Sequence, residues 1–297
     1  MSAWLTAIRP RTLPAAIGPI LVANVLAWSH GHFAWLIAVS SMGCALLLQI
    51  GVNLANDYFD FRSGVDTDDR LGPMRVTQQG LIAPEKVRNA MALSLVAAVA
   101  VGLYLIYIGG PIVAFLAAFS VLGALCYSGG PYPLASHGLG EVAAFVYFGL
   151  VAIVGVYFIH TGTTHADAWI LASCLGLLNA AIMLVNNTRD ISTDQKAGKR
   201  TLAVRIGLAN ARSLYTVLLF APIMLTILQF LLLEGSGWLA LAVGLTLPMA
   251  RSLANAFQQS QGAALNPLLG RTALLTLMFS LAYSVGLALS VLFPAQS

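Results

Sequence analysis

Charge is what this 297-residue sequence has least of. Asp, Glu, Lys and Arg together make up 9%, against about 25% in an ordinary soluble domain. With 59% of residues apolar, that shortage excludes a water-soluble globule. Cysteine is scarce too. Cys44, Cys126 and Cys174 fall inside apolar stretches with no C-x-x-C spacing, which argues against a zinc or redox framework. The G-x-x-x-x-G-K-[ST] run of an NTPase is missing, and no Ser-His-Asp arrangement is evident. The net charge of +4 does not point to nucleic acid, because the bases are confined to loops between apolar stretches, where membrane orientation accounts for them.

What the sequence does have is apolar runs. They recur along the chain, each long enough to cross a hydrocarbon core about 30 Å thick. Reading them between breakers predicts helices over 13–29, 33–58, 86–108, 112–127, 141–159, 168–188, 212–233, 237–257 and 271–293. Breaks have local causes at Gly31, Gly109-Gly110-Pro111, Ser128-Gly129-Gly130-Pro131 and Gly235-Ser236-Gly237. The expected fold is all-α, a polytopic membrane protein with nine transmembrane helices in one bundle, read as a single domain over 1–297. The next apolar span follows the first almost at once, so the first reads as a span rather than a cleaved leader. With nine spans, nearly all Lys and Arg fall on the N-terminal side, and the loops around His30, Gly109, His160 and Glu234 carry none. The positive-inside rule then places the N-terminus in the cytoplasm. The bilayer is the first expected partner, and a bacterial cytoplasmic membrane the expected location.

The same face holds most of the acids. The second span ends in Asn53-Leu54-Ala55-Asn56-Asp57-Tyr58-Phe59-Asp60, so i+3 and i+4 steps gather Asn53, Asn56, Asp57 and Asp60 on one side of a helix. Asp66 follows in the loop. The sixth span ends in Asn186-Asn187-Thr188-Arg189-Asp190-Ile191-Ser192-Thr193-Asp194, which repeats the device with Asn186, Asp190 and Asp194. The recurrence four helices apart is consistent with two weakly similar four-helix halves. Carboxylates so close repel unless a cation joins them, and hard oxygen ligands suit Mg²⁺, which takes one or two carboxylates plus substrate phosphates. A diphosphate substrate follows. Arg70 and Arg75 after the first motif, and Lys196, Lys199, Arg200 and Arg205 after the second, supply phosphoryl-binding cations.

Other charged groups have plainer readings. Asp68, Asp69 and Glu85 read as solvated loop residues, and Arg9, Arg11, Arg212, Arg251 and Arg271 as topological anchors. His30, His32, His160 and His165 lie on the sparse outer side, none paired with an acid cluster as ligands, while His137 precedes Glu141 on the acidic side. Tyr104, Tyr107, Tyr147, Tyr157 and Phe158 read as packing or interfacial belt.

Asn56-Asp57-x-x-Asp60 and Asp190-x-x-x-Asp194 resemble the paired signature of the UbiA superfamily of intramembrane prenyltransferases, and the likeness covers essentially the whole chain. One departure stands out: the simplest pattern has a third Asp four residues after Asp60, where this chain has Gly64 and then Asp66. That longer spacing, with Arg9-Pro10-Arg11-Thr12-Leu13-Pro14, Gly138-Leu139-Gly140-Glu141 and Gly198-Lys199-Arg200-Thr201-Leu202-Ala203-Val204-Arg205, is similar to the branch that prenylates 1,4-dihydroxy-2-naphthoate in menaquinone synthesis. The 4-hydroxybenzoate branch has a Tyr-Thr-x-x-Lys-Arg stretch where Tyr127 is here followed by Ser-Gly-Gly-Pro.

The resemblance implies Mg²⁺ held by Asp57, Asp60, Asp190 and Asp194. It implies a polyprenyl diphosphate bound by Asn53, Asn56, Arg70, Arg75, Asn186, Asn187, Lys199 and Arg200, and attack by the naphthoate ring at the carbon bearing its carboxylate, with loss of CO₂ and a proton. Asp66, Tyr127 and Glu141 are the expected acceptor-positioning or proton-handling residues. Two other classes stay open. A transporter would place its acids near the midplane, and a non-catalytic lipid-diphosphate binder would share the site without turnover. Within enzymes, 4-hydroxybenzoate, homogentisate, chlorophyllide or haem are the rival acceptors.

Overall fold

The computed structural model describes residues 3–64, 71–72, 75–232 and 237–293, and no strand occurs among them. Helix α1 (Ala3–Ile8) and a tight turn over Pro10–Thr12 lead into α2 (Pro14–Ser29). Then follow α3 (Trp35–Arg62), α4 (Pro84–Cys126), α5 (Gly140–Thr161), α6 (Ala166–Arg189), the short α7 (Ile191–Lys196), α8 (Leu202–Leu232), α9 (Gly237–Gln259) and α10 (Asn266–Leu292). Seven of these are long and apolar enough to cross a membrane, or eight if the bent pair Ala3–Thr12 and Pro14–Ser29 forms one span. The chain is an integral membrane protein, all-helical throughout its described regular structure.

Nine spans were expected, and the difference lies largely in α4, where the segments read as 86–108 and 112–127 join into one 43-residue element. At about 1.5 Å per residue that is roughly twice the thickness of a hydrocarbon core. It does not run straight. Gly110 takes φ 68° and ψ −154°, which a residue with a side chain resists, and Pro111 brings no backbone N–H to continue the ladder. The chain turns there, and both arms come back to α3. Ser94 on the first arm donates to the Leu47 carbonyl at 2.8 Å, and Ser128, just past the second, returns to donate to Asn56 Oδ1 at 2.6 Å.

The main core lies between α2, α5, α6, α8, α9 and α10, around Leu26, Leu171, Leu175, Leu184, Tyr215, Leu219, Phe257, Phe279 and Tyr283. Lipid offers no water to a buried hydroxyl, so polar side chains must be satisfied inside the bundle. On α10, Thr272, Thr276, Ser280 and Ser284 each donate to the carbonyl four residues back, which lets a polar stripe sit within the bundle at little cost. Where α5 crosses α6, a Cβ on Gly149 would fall 2.4 Å from the Ala172 carbonyl oxygen, so only glycine allows this approach. The same stretch, Phe145–Val154, winds as a π-helix. It turns Phe148, Val151 and Ala152 to the central cavity. Outward, Leu93, Val96 and Leu103 on the first arm of α4 are exposed, an apolar face that lipid would cover in a monomer.

Candidate active site

The C-terminal end of α3 carries the first acidic motif. Asn53, Asn56 and Asp60 line a central cavity of about 1650 Å³. Asn53 also donates to the Ile8 carbonyl at 2.8 Å and to Thr12 Oγ1 at 3.1 Å, pinning the N-terminal turn to the motif. Asp57 departs from the expectation that all four share the cavity face. One helical step, about 100°, separates it from Asn56, and it turns to the flank. There it accepts hydrogen bonds from the Val76 and Thr77 amides at 3.1 and 3.0 Å and from the Thr77 hydroxyl. The carboxylate thereby organises the strap that carries Arg75. Arg75, itself buried, pairs with Asp60 in the cavity.

The second motif sits at the end of α6. The expectation of one helical face needs correction here, because the helix breaks at Asp190 (φ −96°, ψ 10°) before α7 begins. An Asp194 amide bond to the Asp190 carbonyl at 2.8 Å preserves the spacing across the break, and Asn186, Asn187, Asp190 and Asp194 all reach the cavity. Arg189, almost fully buried, holds this end together. Its Nε and Nη2 grip the two Asp190 oxygens at 2.8 and 2.5 Å. Nη2 also donates to Asn186 Oδ1 at 2.8 Å, and Nη1 to Asn266 Oδ1 at 3.0 Å. Lys199 Nζ stands 3.9 Å from Asp194.

The cavity therefore has a charged head and an apolar body. Among the described lining residues Asp60, Asp190 and Asp194 are the carboxylates, while Arg9, Arg11, Arg75, Arg189, Lys199 and Arg271 are the cations. The surplus of positive charge favours a polyanion. Below the head, Leu48, Val52, Val99, Leu105, Val121 and Phe148 line a passage suited to a hydrocarbon chain.

Residues 16–269 match the sequence pattern of the UbiA prenyltransferase family. The 1,4-dihydroxy-2-naphthoate octaprenyltransferase of Escherichia coli (strain K12) is 36% identical over 297 residues, covering 97% of this chain and 96% of that protein. The protein of the same name from Mycobacterium tuberculosis (strain ATCC 25618 / H37Rv) is 37% identical over 290 residues, covering 96% of each. The chain belongs to the UbiA prenyltransferase family. A solved UbiA homolog from Archaeoglobus fulgidus, bound to GPP and Mg²⁺, shares the fold at a TM-score of 0.64 and 15% identity, over 96% of this chain and 100% of that one.

In this UbiA-family chain the donor set fits Mg²⁺. The cavity head offers carboxylate oxygens from Asp60, Asp190 and Asp194 and amide oxygens from Asn56 and Asn186; no imidazole is among the described lining residues, and the thiol of Cys44 lies on α3 twelve residues before Asn56, along the apolar body. Asp57 would serve that head through the 75–77 strap. Arg200 lies outside the main cavity, in a smaller recess of about 430 Å³ with Tyr132, Ser136, His137, Lys199 and Arg205. His137 is thus kept from the head; its Nδ1 meets the Pro133 carbonyl at 2.8 Å and its ring stacks on Tyr132. Asp66 and Arg70, expected at the site, lie outside the described residues.

Tyr127, just past the end of α4, lines the cavity, and its hydroxyl points at Met183 Sδ at 3.0 Å. Burial, reinforced by the negative charges of Glu141 and Asp60, holds that hydroxyl well above the ordinary phenol range, so it is neutral. Glu141 is buried behind the wall rather than on it. One oxygen accepts from Asn187 Nδ2 at 2.9 Å, and the other has no hydrogen-bond partner among the described residues. Its contact orients Asn187.

Sequence reasoning assigned Arg9, Arg11 and Arg271 to topology, yet all three line the cavity. Arg9 even adopts a left-handed backbone (φ 55°, ψ 68°), a conformation that a non-glycine residue holds only where its surroundings impose it. Asn266 was missed altogether. It receives Arg189 and donates to the Leu71 carbonyl at 2.9 Å, joining the loop after the first motif to the second. Beside it, a Cβ on Gly72 would meet Arg189 Nη2 at 2.5 Å. Gly72→Ala should displace the guanidinium and loosen Asp190. The expected result is a loss of prenyl transfer of about tenfold or more, the usual scale for disturbing a ligand's support, with a fall in melting temperature of the size expected when a buried donor loses a partner. Steady-state rates on purified protein check this, and wild-type activity would mean the fork does not position Asp190.

Proposed function

We propose that this chain transfers a polyprenyl group from a polyprenyl diphosphate to 1,4-dihydroxy-2-naphthoate, with decarboxylation, giving the demethylmenaquinol of menaquinone biosynthesis. The carrying observation is the joined cavity, whose polyanion-binding head runs directly into an apolar passage. The naphthoate acceptor rests on the relatives of that activity, alignable over nearly their whole length. The absence of Lys or Arg in Ser128-Gly129-Gly130-Pro131 after Tyr127 weighs against 4-hydroxybenzoate.

Mg²⁺ held by Asp60, Asp190 and Asp194, with Asp57 in support, would neutralise the departing diphosphate. The chain's own cations complete that task. Arg75 and Lys199, beside Asp60 and Asp194 in the cavity head, would meet the phosphoryl oxygens while Arg189 holds Asp190, and fixed charges there lower the barrier without reorganising as negative charge grows. Asn53, Asn56, Asn186 and Asn187 orient the same group, and the apolar passage keeps water from the allylic carbon. The ring carbon bearing the carboxylate then forms the new C–C bond as the allylic C–O bond breaks, and CO₂ leaves its electron pair in the ring. Neutral Tyr127 can donate a hydrogen bond to the acceptor at the boundary of the head. Asp66 and Arg70 retain acceptor-positioning and phosphate-binding roles in this proposal, as does Arg200 from the adjoining recess.

Counting the arms of α4 as separate spans, together with the bent pair, supports nine transmembrane helices in a single domain. The acidic ends of α3 and α6 support the two-half arrangement. The loop bases support a cytoplasmic N-terminus and a site on the cytoplasmic face of a bacterial inner membrane.

Product analysis tests the proposal. Detergent-purified protein with Mg²⁺ and a polyprenyl diphosphate should yield a decarboxylated prenyl-naphthoquinol from 1,4-dihydroxy-2-naphthoate by mass spectrometry, and nothing from 4-hydroxybenzoate. Product from 4-hydroxybenzoate alone would reassign the acceptor. No product from either would overturn the reading.

A further inference from the structure

At the end of the bundle away from the charged head, three residues that looked unrelated in sequence converge. His30 closes α2, His165 caps α6 from the preceding loop, and Asp167 opens α6. A ligand atom from each lies within 4.8 Å of the others. His30 Nε2 stands 3.4 Å and His165 Nδ1 3.1 Å from the same oxygen, Asp167 Oδ2. Adjacent ligands of a tetrahedral Zn²⁺ with bonds near 2.0–2.1 Å are separated by about 3.3 Å. The carboxylate and each imidazole are thus already at coordination spacing.

Supporting groups aim these atoms. His30 Nδ1 meets the Tyr157 hydroxyl at 2.7 Å, which leaves Nε2 facing the cluster. The second Asp167 oxygen accepts from Gln229 Nε2 at 2.8 Å, and Gln229 is itself fixed by the Tyr283 hydroxyl at 3.0 Å. His165 Nδ1 also meets the Asp167 amide at 3.4 Å, so this nitrogen rather than Nε2 is the ring atom turned to the cluster. A carboxylate and imidazoles, each oriented by an outer partner, is the arrangement of a metal site more than of a simple ion pair. The His165 side chain is 56% exposed, which gives a cation an entry route.

We propose that His30, His165 and Asp167 bind one Zn²⁺-class divalent cation, with water completing its coordination, distinct from the Mg²⁺-type oxygen site at the other end. Two nitrogens and one oxygen select Zn²⁺ over Mg²⁺. The ion would clamp the outer end of α2 to the start of α6. The clamp is independent of the prenyl-transfer reading.

The test uses full-length, tag-free protein in detergent with excess Mg²⁺, titrated with Zn²⁺ by calorimetry and with Co²⁺ by visible absorption. The expected result is one Zn²⁺ per chain, with a tetrahedral Co²⁺ spectrum. Affinity should fall tenfold or more in both His165→Ala and Asp167→Asn, and remain unchanged in Asp194→Asn. His165 is exposed, so its variant should fold and retain prenyl transfer even if Asp167→Asn does not. No Zn²⁺ uptake by wild type, uptake undiminished in His165→Ala, or uptake lost in Asp194→Asn would each overturn the site.

Discussion

Asp190→Asn lowers prenyl transfer by a factor on the order of 10² to 10³, the scale for removing one preorganised electrostatic contact at a reacting centre, and raises the Mg²⁺ concentration needed for half-maximal rate. The substitution keeps the side chain's shape and removes its charge. Arg189 loses one half of its fork, because an amide nitrogen cannot accept from Nη2, but it keeps Asn186 and Asn266 as acceptors. The stability cost is therefore about 1–3 kcal/mol, that of one buried unsatisfied donor. A monodisperse gel-filtration profile with a small fall in melting temperature separates this from unfolding. Retention of near-normal rate at limiting Mg²⁺ would remove Asp190 from the metal site.

Ala117→Phe turns the enzyme against long donors. Ala117 lies midway along the returning arm of α4, and it lines the apolar passage with Ala98, Ala114, Gly102 and Gly155. These small residues leave the room that a polyprenyl tail would occupy. A phenyl ring there overfills the passage, and a few methylenes of lost or clashing contact are worth about tenfold or more in discrimination. Geranyl diphosphate, whose tail ends nearer the head, should keep its rate within about twofold on the same reasoning. The comparison is kcat/KM for a long and a short donor on one preparation. Equal losses for both would mean that the tail leaves the head by another route.

The sequence made the broad plan readable because its strongest signals are local. Apolar runs, Gly-Pro breaks and i+4 acids need no knowledge of distant contacts, so the membrane bundle and both acidic motifs could be found by periodicity. What failed depends on contacts made far along the chain or on a small rotation. Asp57 and Asp60 are the same residue type on one helical side, yet Asp57 sits at the edge of that side, about 100° from Asn56, and turns to the 75–77 strap. Arg9 and Arg11 look like any juxtamembrane bases until the left-handed turn at Arg9 aims them inward. His30 and Asp167 are separated by nearly half the length of the chain, and no periodicity relates them. The Gly109-Gly110-Pro111 break, by contrast, was legible locally, and the backbone leaves the helical region at Gly110 as that reading expects.

The bond between Asn266 and Leu71 spans 195 positions, and it gives the active site a place in time as well as in space. During synthesis both acidic motifs emerge and enter the membrane well before α10 exists. Until α10 arrives, Arg189 lacks its Asn266 partner, and the loop after the first motif lacks its tether to the second. A nascent chain stalled after α8 would hold every carboxylate of the head and no assembled head. Competence for chemistry is thus conferred by the arrival of α10, so products truncated before it would enter the bilayer inert.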